Sequence, residues 1–435
     1  MTKSGQNISL LDRHRSVMPS WLALYYKEPI QIVRGEGRRV WDQDNRSYLD
    51  FFGGILTTMT GYGVPSVVEA IRDQAEKMLH SSTLYLIDSQ IELAEEIAAL
   101  SGIPDAKVFF TNSGSEANDT ALMLATAYRR SNQILAMRHS YHGRSFSAMA
   151  TTGTASWSPS SLSPFNVSYI HGGYPYRSPF AHMSDDDYMR ACVSDLENVL
   201  EVATAGDVAC LIAEPIQGVG GFGVPPDGMY GRFNDVLKRK GILFISDEVQ
   251  TGWGRTGEHF WGYQAHGFTP DIMTFAKGLG NGLAIGGVIA RKEIMDCFKA
   301  NSISTFGGNP LVTRGSLANL HYLQENNLQA NAAKQGQRLH DKLAAFAKTA
   351  PLIGEVRGKG LMIGIELVGA DGKLPNVDAV ADIMERTKAG GLLIGRGGFY
   401  GNVIRLAPPL TVTEAEIDEG FDILRDAIQA VGTGA

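Results

Sequence analysis

"ILFISDEVQTGWGR" occupies residues 242–255. An apolar run, ILFI, is followed after a single serine by a carboxylate, Asp247, and then by a turn. Apolar strands without polar alternation are buried on both faces, as in a mostly parallel sheet covered by helices. Ligands of such sheets gather at the carboxyl ends of the strands, so Asp247 is expected to face a crevice. A carboxylate there is partly desolvated and needs a cationic or hydrogen-bond-donating partner.

The same grammar repeats on either side. Strand-like runs at 107–111 (KVFFT), 133–137 (QILAM), 208–214 (VACLIAE), 271–276 (DIMTFA) and 286–290 (GGVIA) are separated by turn residues and helical patterns. This predicts an α/β core. The polar residues just after these runs are Ser113, Gly114, Ser115, Tyr141, His142, Glu214, Asp247 and Lys277. From about residue 316 the pattern changes to amphipathic helices, then strands at "GLMIGIELV" and "NVIRLAPPL", then a helix from Glu414, which predicts a smaller α+β lobe. Residues 1–60, with a strand hairpin in "RRVWDQDNRSYLDFFGGI", are too few for a domain and are expected to pack with that lobe. The expected divisions are therefore 1–60, a large domain over 61–315 and a small domain over 316–435.

Composition narrows the chemistry. A chain of 435 residues, 44% hydrophobic and 20% charged, has ordinary globular composition. Its net charge of -7, without an extended Lys/Arg block, offers no footprint for nucleic acid or an anionic membrane. The three cysteines, Cys192, Cys210 and Cys297, lack metal-ligand spacing, so neither a disulfide framework nor a metal site is expected. No signal-peptide core or membrane-length apolar run is present, and a cytoplasmic location is expected. The fifty glycines cluster at 218–223, 278–287, 307–308 and 395–401, as expected where backbone approaches a ligand.

One cluster, "TFAKGLGNGLAIGG" at 274–287, holds a single charged side chain, Lys277. A lysine after a strand is usually a solvated surface residue. Asp247 would more simply be a helix cap or a salt-bridge partner, and Ser115, one residue ahead of Glu116, would be an N-cap. Yet serines flanking a glycine at a helix N-terminus also offer the N–H groups, hydroxyls and dipole that bind phosphate. A phosphate cradle, a carboxylate for a protonated pyridine nitrogen and a lysine for a Schiff base together describe pyridoxal 5'-phosphate. A dinucleotide site is disfavoured, because "GLGNG" lacks the third glycine of GxGxxG.

With these residues in place, the chain resembles the class III (ω-) aminotransferases of PLP fold type I, most of all the alanine–glyoxylate aminotransferase 2-like branch. The motifs are "YLDFFGGI", "TNSGSEAN", "SYHGR", "AEPIQGV", "SDEVQTGWGRTG", "AKGLGNG", "TFGGNP", "VRGKGLMIGIEL" and "IRLAPPL", spread over nearly the whole length. The resemblance implies a large domain with a mostly parallel seven-stranded sheet plus a smaller α+β domain. It also implies that Lys277 binds the cofactor covalently and then moves the substrate proton, while Asp247 keeps the ring nitrogen protonated. Ser113, Gly114 and Ser115 would cradle the phosphate, with Thr305 completing that site from the partner subunit of a homodimer. Tyr141 and Val249 would flank the ring, Gln250 would reach its phenolic oxygen, Glu214 would stand behind it, and His142 is either a cofactor contact or a core residue. Arg405 matches the arginine that grips a substrate α-carboxylate.

Two positions refine the substrate. Ornithine and GABA aminotransferases place a glutamate after "EPIQG" to neutralise that arginine, and here the position is Val219. This favours alanine, pyruvate or glyoxylate. Arg144, after "YHG", matches an arginine that related enzymes use for a distal carboxylate, which keeps 2-oxoglutarate and β- or γ-amino acids open. The stretch "FFGGILTTMTGYG" is expected at the substrate entrance, with Phe52 at the substrate or in the core, and with Tyr25 and Tyr26 nearby. The alternative within the branch is a PLP-dependent phospholyase acting on an amino-alcohol phosphate. A degenerate, non-catalytic homologue is disfavoured because Lys277, Asp247, Ser115 and Thr305 are all present.

Overall fold

The computed structural model describes residues 9–433. Residues 1–8 of the N-terminal segment lie outside the described part. Seven strands form the central sheet: β1 (Ala106–Thr111), β2 (Gln133–Met137), β3 (Asn166–Ile170), β4 (Cys210–Ala213), β5 (Leu243–Asp247), β6 (Ile272–Phe275) and β7 (Gly286–Arg291). Their spatial order is β1-β7-β6-β5-β4-β2-β3. The pairs from β6 through β3 are parallel, and β7 runs antiparallel to both β1 and β6.

Side-chain alternation explains why these strands read as continuously apolar. Ile134, Ala136, Cys210, Ile212, Leu243 and Ile245 pack on one face with Ala117, Ala121, Leu124 and Ala125 of the helix Gly114–Arg129. Leu135, Met137, Leu211, Ala213 and Phe244 pack on the other with the helices Asp185–Val202 and Met229–Arg239. Both faces are dry, so neither needs polar positions. Two features escape this pattern. Strand β3 is an edge with Asn166 and Ser168 along it, and β7 begins with two glycines.

The C-terminal part carries a four-stranded sheet in the order Ile353–Lys359, Met362–Leu367, Val403–Leu406, Gly395–Gly397, every neighbouring pair antiparallel. Ile32–Glu36, Arg39–Asp42 and Ser47–Asp50 form an antiparallel meander, and Leu392–Leu393 adds to Ser47–Asp50 in parallel. Directly after it, Gly53, Gly54, Ile55 and Leu56 all take positive φ, 53° to 66°, a left-handed turn that side-chain-bearing residues rarely adopt. Asp50 Oδ1 fixes its start by accepting from Phe52 N and Gly53 N. Among the described residues no helix is long and apolar enough to cross a membrane.

Candidate active site

Three neighbouring strands end side by side. β4 delivers Glu214, β5 ends in Asp247 and β6 leads into Lys277, with Ala213 paired to Ser246 and Asp247 to Thr274. Lys277 takes φ of 45°, a left-handed conformation that costs a non-glycine residue about 1–3 kcal/mol and collects at functional sites. The residue is half-buried, and its amine has no hydrogen-bond or ion-pair partner among the described residues. Burial pulls the amine pKa down to about 8, against the pull of Asp247 and Glu214 and with a further push from Arg405. An amine so desolvated is partly neutral near physiological pH, as a nucleophile or base must be.

Asp247 is buried and fully engaged. Its Oδ2 accepts from Asn118 Nδ2 at 2.8 Å and lies 2.7 Å from His142 Nδ1, while Oδ1 accepts from Val249 N at 3.1 Å. Asn118 also donates to His142 O at 2.7 Å and accepts from Thr274 Oγ1 at 2.7 Å. Sequence reasoning passed over Asn118, although it stands in "TNSGSEAN" as a polar side chain among the buried residues of its helix. The structure also gives His142 a definite partner, Asp247. The neighbouring Glu248 turns inward instead, accepting from Thr251 Oγ1, Gly262 N and Tyr263 N.

Glu214 joins two loops: Oε1 accepts from Tyr141 N at 2.9 Å and Oε2 from Gly218 N at 2.8 Å. Burial, helped by Asp247, raises its carboxyl pKa despite these N–H donors and His142. The Tyr141 ring lies edge-on to Trp157, centroids 5.4 Å apart. Gln250 is buried against the Gly218 backbone, where a Cβ would meet its amide at 2.2 Å, and its Oε1 has no partner.

The helix that starts at Gly114 is capped by Ser113, whose hydroxyl accepts from Glu116 N; Ser115, the expected cap, instead accepts from Arg144 N at 3.1 Å. Ser115 lies inside the first turn because the helix begins at Gly114, two residues earlier than a Ser115 cap would place it. Val249 packs on Gly114, where a Cβ would sit 3.0 Å from Cγ1. Three of the glycines after Lys277 lie tightly against the protein itself, whereas Gly282 faces open space. Added Cβ atoms would meet Met59 Sδ at Gly278 (2.7 Å), Ser113 O at Gly286 (2.6 Å) and the Phe275 ring at Gly287 (2.4 Å).

Arg405 is buried and bound only by neutral acceptors: Arg396 O at 2.8 Å, Gly218 O at 3.1 Å and Tyr25 Oη at 3.3 Å. Its guanidinium lies 5.0 Å from the Phe52 ring centroid, and Gly397 leaves it room, since a Cβ there would sit 2.6 Å from Nε. Phe52 thus packs beneath Arg405, with Tyr25 at 5.6 Å, whereas Phe51 is plain core. Arg144 is exposed, its guanidinium 5.3 Å from the Trp21 ring. Thr305 is exposed and lies next to Ser304, whose hydroxyl accepts from Asn112.

An unpartnered, desolvated amine on a half-buried lysine, a carboxylate held by three donors, a helix N-terminus and the unpaired Gln250 Oε1 suit a molecule with an aldehyde, a basic ring nitrogen and a phosphate. Comparison with known proteins agrees. Residues 24–428 match the model of the aminotransferase class-III family, and the chain belongs to that family. It is 40% identical to alanine–glyoxylate aminotransferase 2 homolog 2, mitochondrial, of Arabidopsis thaliana, over 96% of this chain and 86% of that one. It is 36% identical to the acetylornithine aminotransferase of Caldanaerobacter subterraneus subsp. tengcongensis, over 94% and 96%. Its fold matches a PLP-bound amine transaminase from an uncultivated Pseudomonas species at a TM-score of 0.89 and 30% identity, over 95% of this chain and 97% of that one. The protein is a PLP-dependent aminotransferase.

Proposed function

We propose that this aminotransferase works on α-carboxylate substrates, taking the amino group from an alanine-like donor and passing it to a small keto acid such as pyruvate or glyoxylate. The observation that carries this reading is Arg405, a buried guanidinium whose hydrogen-bond partners are all neutral, with Val219 where a neutralising glutamate would stand. Pyridoxal phosphate, when bound, supplies a ring that draws electrons from the substrate Cα. Lys277 would hold the cofactor and carry the proton at Cα, and Asp247 would keep the ring nitrogen protonated. Gly114 and Ser115, at the start of their helix, would hold the phosphate. Arg405 would orient the carboxylate through a planar fork, with Phe52 excluding water beneath it.

Arg405→Gln should raise the KM for L-alanine about a hundredfold, the scale for losing one partner of a buried charge pair. Steady-state kinetics with L-alanine and with a simple alkylamine would test it, and equal losses on both donors would overturn the assignment. Arg144, exposed and without a carboxylate partner among the described residues, supports 2-oxoglutarate as a second acceptor. Acceptor-dependent regeneration of the cofactor's absorbance separates the two.

We also propose a homodimer. Leu84, Tyr85, Leu86 and Phe306 are 60% to 93% exposed, more apolar surface than a lone chain usually leaves in water. Thr305 stands beside Phe306 and would reach the partner's phosphate site. Light scattering should give twice the chain mass, and Thr305→Ala should loosen cofactor binding; a monomer that retains the cofactor would refute both. Three free cysteines, two of them buried, support a reducing, cytoplasmic setting, which cell fractionation checks.

A further inference from the structure

A buried polar network stands behind the carboxylate-binding side of the cleft and takes no part in the chemistry described above. Arg357 Nε donates to Gly221 O at 3.0 Å and to Phe222 O at 3.2 Å, and Nη2 donates to Gly221 O at 2.7 Å. The same Nη2 reaches Tyr174 Oη at 2.7 Å and Glu366 Oε2 at 3.0 Å, and Nη1 reaches Glu355. Tyr174 donates its hydroxyl to Glu366, whose Oε1 also accepts from Arg177 at 2.7 Å and from Asn402 Nδ2 at 2.9 Å. Arg357 and Arg177 balance Glu355 and Glu366, so the network closes its own charge.

Its two outputs converge on one side chain. Arg357 grips the carbonyls of the loop 218–223, and the carbonyl of Gly218 in that loop accepts from Arg405. Glu366 grips Asn402, one residue ahead of the strand Val403–Leu406 that carries Arg405. The loop has no slack between these grips: added Cβ atoms would meet Gln250 at Gly218 (2.2 Å), His139 O at Gly220 (2.6 Å) and Gly398 Cα at Gly221 (2.9 Å). Val219 O is fixed as well, by Gly398 N at 2.9 Å. Apolar residues of similar volume would fill the same interior without the cost of burying charges, so stability alone does not account for such a network. What it adds is direction: a fork of donors aimed at backbone carbonyls sets where the loop sits.

We propose that Arg357, with Glu366 and Tyr174, is a positioning residue for the substrate carboxylate, acting through the loop 218–223 on the orientation of Arg405. The inference rests on Arg405 being the carboxylate anchor. The test uses the holoenzyme and two competitive inhibitors that divide the substrate: propionate, which has the carboxylate without the amine, and propylamine, which has the amine without the carboxylate. Arg357→Lys keeps the charge and loses the fork, and should raise the inhibition constant of propionate roughly tenfold while leaving that of propylamine unchanged. Tyr174→Phe, which removes one hydroxyl, should shift propionate in the same direction by less, and carries the test if Arg357→Lys fails to fold. Arg405→Gln is the reference. If it weakens propionate selectively while neither network variant does, the network is structural and the inference fails alone. Should Arg405→Gln fail to discriminate, the anchor assignment fails first and takes this inference with it.

Discussion

Lys277→Met is expected to lower the rate of amino transfer by roughly 10³-fold or more, the scale for losing a positioned general base that also binds covalently. Methionine keeps an unbranched apolar stem one atom shorter than lysine's, so most of the space stays filled and the loss is chemical. Borohydride treatment followed by mass mapping should find the cofactor attached to Lys277 in the wild type and to nothing in the variant; a reduced adduct persisting in the variant would end the assignment. The same pair has a second readout in cofactor-free protein. The folded amine has a pKa of about 8 against 10.5 in an unfolded chain. Below pH 8 both states hold the proton and the folded state bears a poorly solvated charge. Between 8 and 10.5 the unfolded chain holds more protons, so this group's contribution to stability rises with pH, by at most about 1.4 kcal/mol per unit. The stability of the methionine variant minus that of the wild type should therefore shrink across that window. A difference independent of pH would mean that the amine is not desolvated.

The strands that build this site were legible because each of them is dry on both faces, although their spatial order was not. Period-2 alternation disappears, apolar runs stand out, and the first polar residue after each marks the crevice, which is how Glu214, Asp247 and Lys277 announced themselves. What links those ends was not legible. Asn118 and Trp157 are distant in sequence from the groups they meet, and a lone polar residue in a helix or an aromatic in a loop has no local pattern that aims it, whereas Tyr25 was expected beside Phe52 and lies there. The glycines were legible only in part for a related reason. Composition says that backbone comes close to something, and only the packed structure says that at Gly278, Gly286 and Gly287 the something is Met59, Ser113 O and the Phe275 ring. Edge strand β3 was missed because one side of an edge faces water and tolerates Asn166 and Ser168. Nor does any propensity predict left-handed Ile55 and Leu56, which follow the Phe52 and Gly53 N–H groups held by Asp50.

Asp247→Asn should retain the cofactor link to Lys277 yet lose on the order of 10²–10³ in kcat, the range for removing one preorganised electrostatic partner of the reacting charge. The wild-type carboxylate suits its surroundings because every neighbour donates: Asn118 Nδ2 and Val249 N outright, and His142 Nδ1 as drawn toward Oδ2. An amide cannot reproduce this. Turned one way, its NH2 meets Asn118 and His142; turned the other, it meets Val249 N, so one donor is always opposed by another. The substitution therefore removes the negative charge and unsettles its frame together, and Asp247→Glu separates the two effects by keeping the charge while displacing it. If position governs, the glutamate variant should fall with the asparagine variant; if charge alone governs, it should recover most of the rate. In both variants the visible absorbance of the bound cofactor should persist, which distinguishes slowed proton transfer from an emptied site. An asparagine variant with wild-type kcat would remove Asp247 from the reaction, and the pairing of β5 with β6 would then explain its burial without explaining its charge.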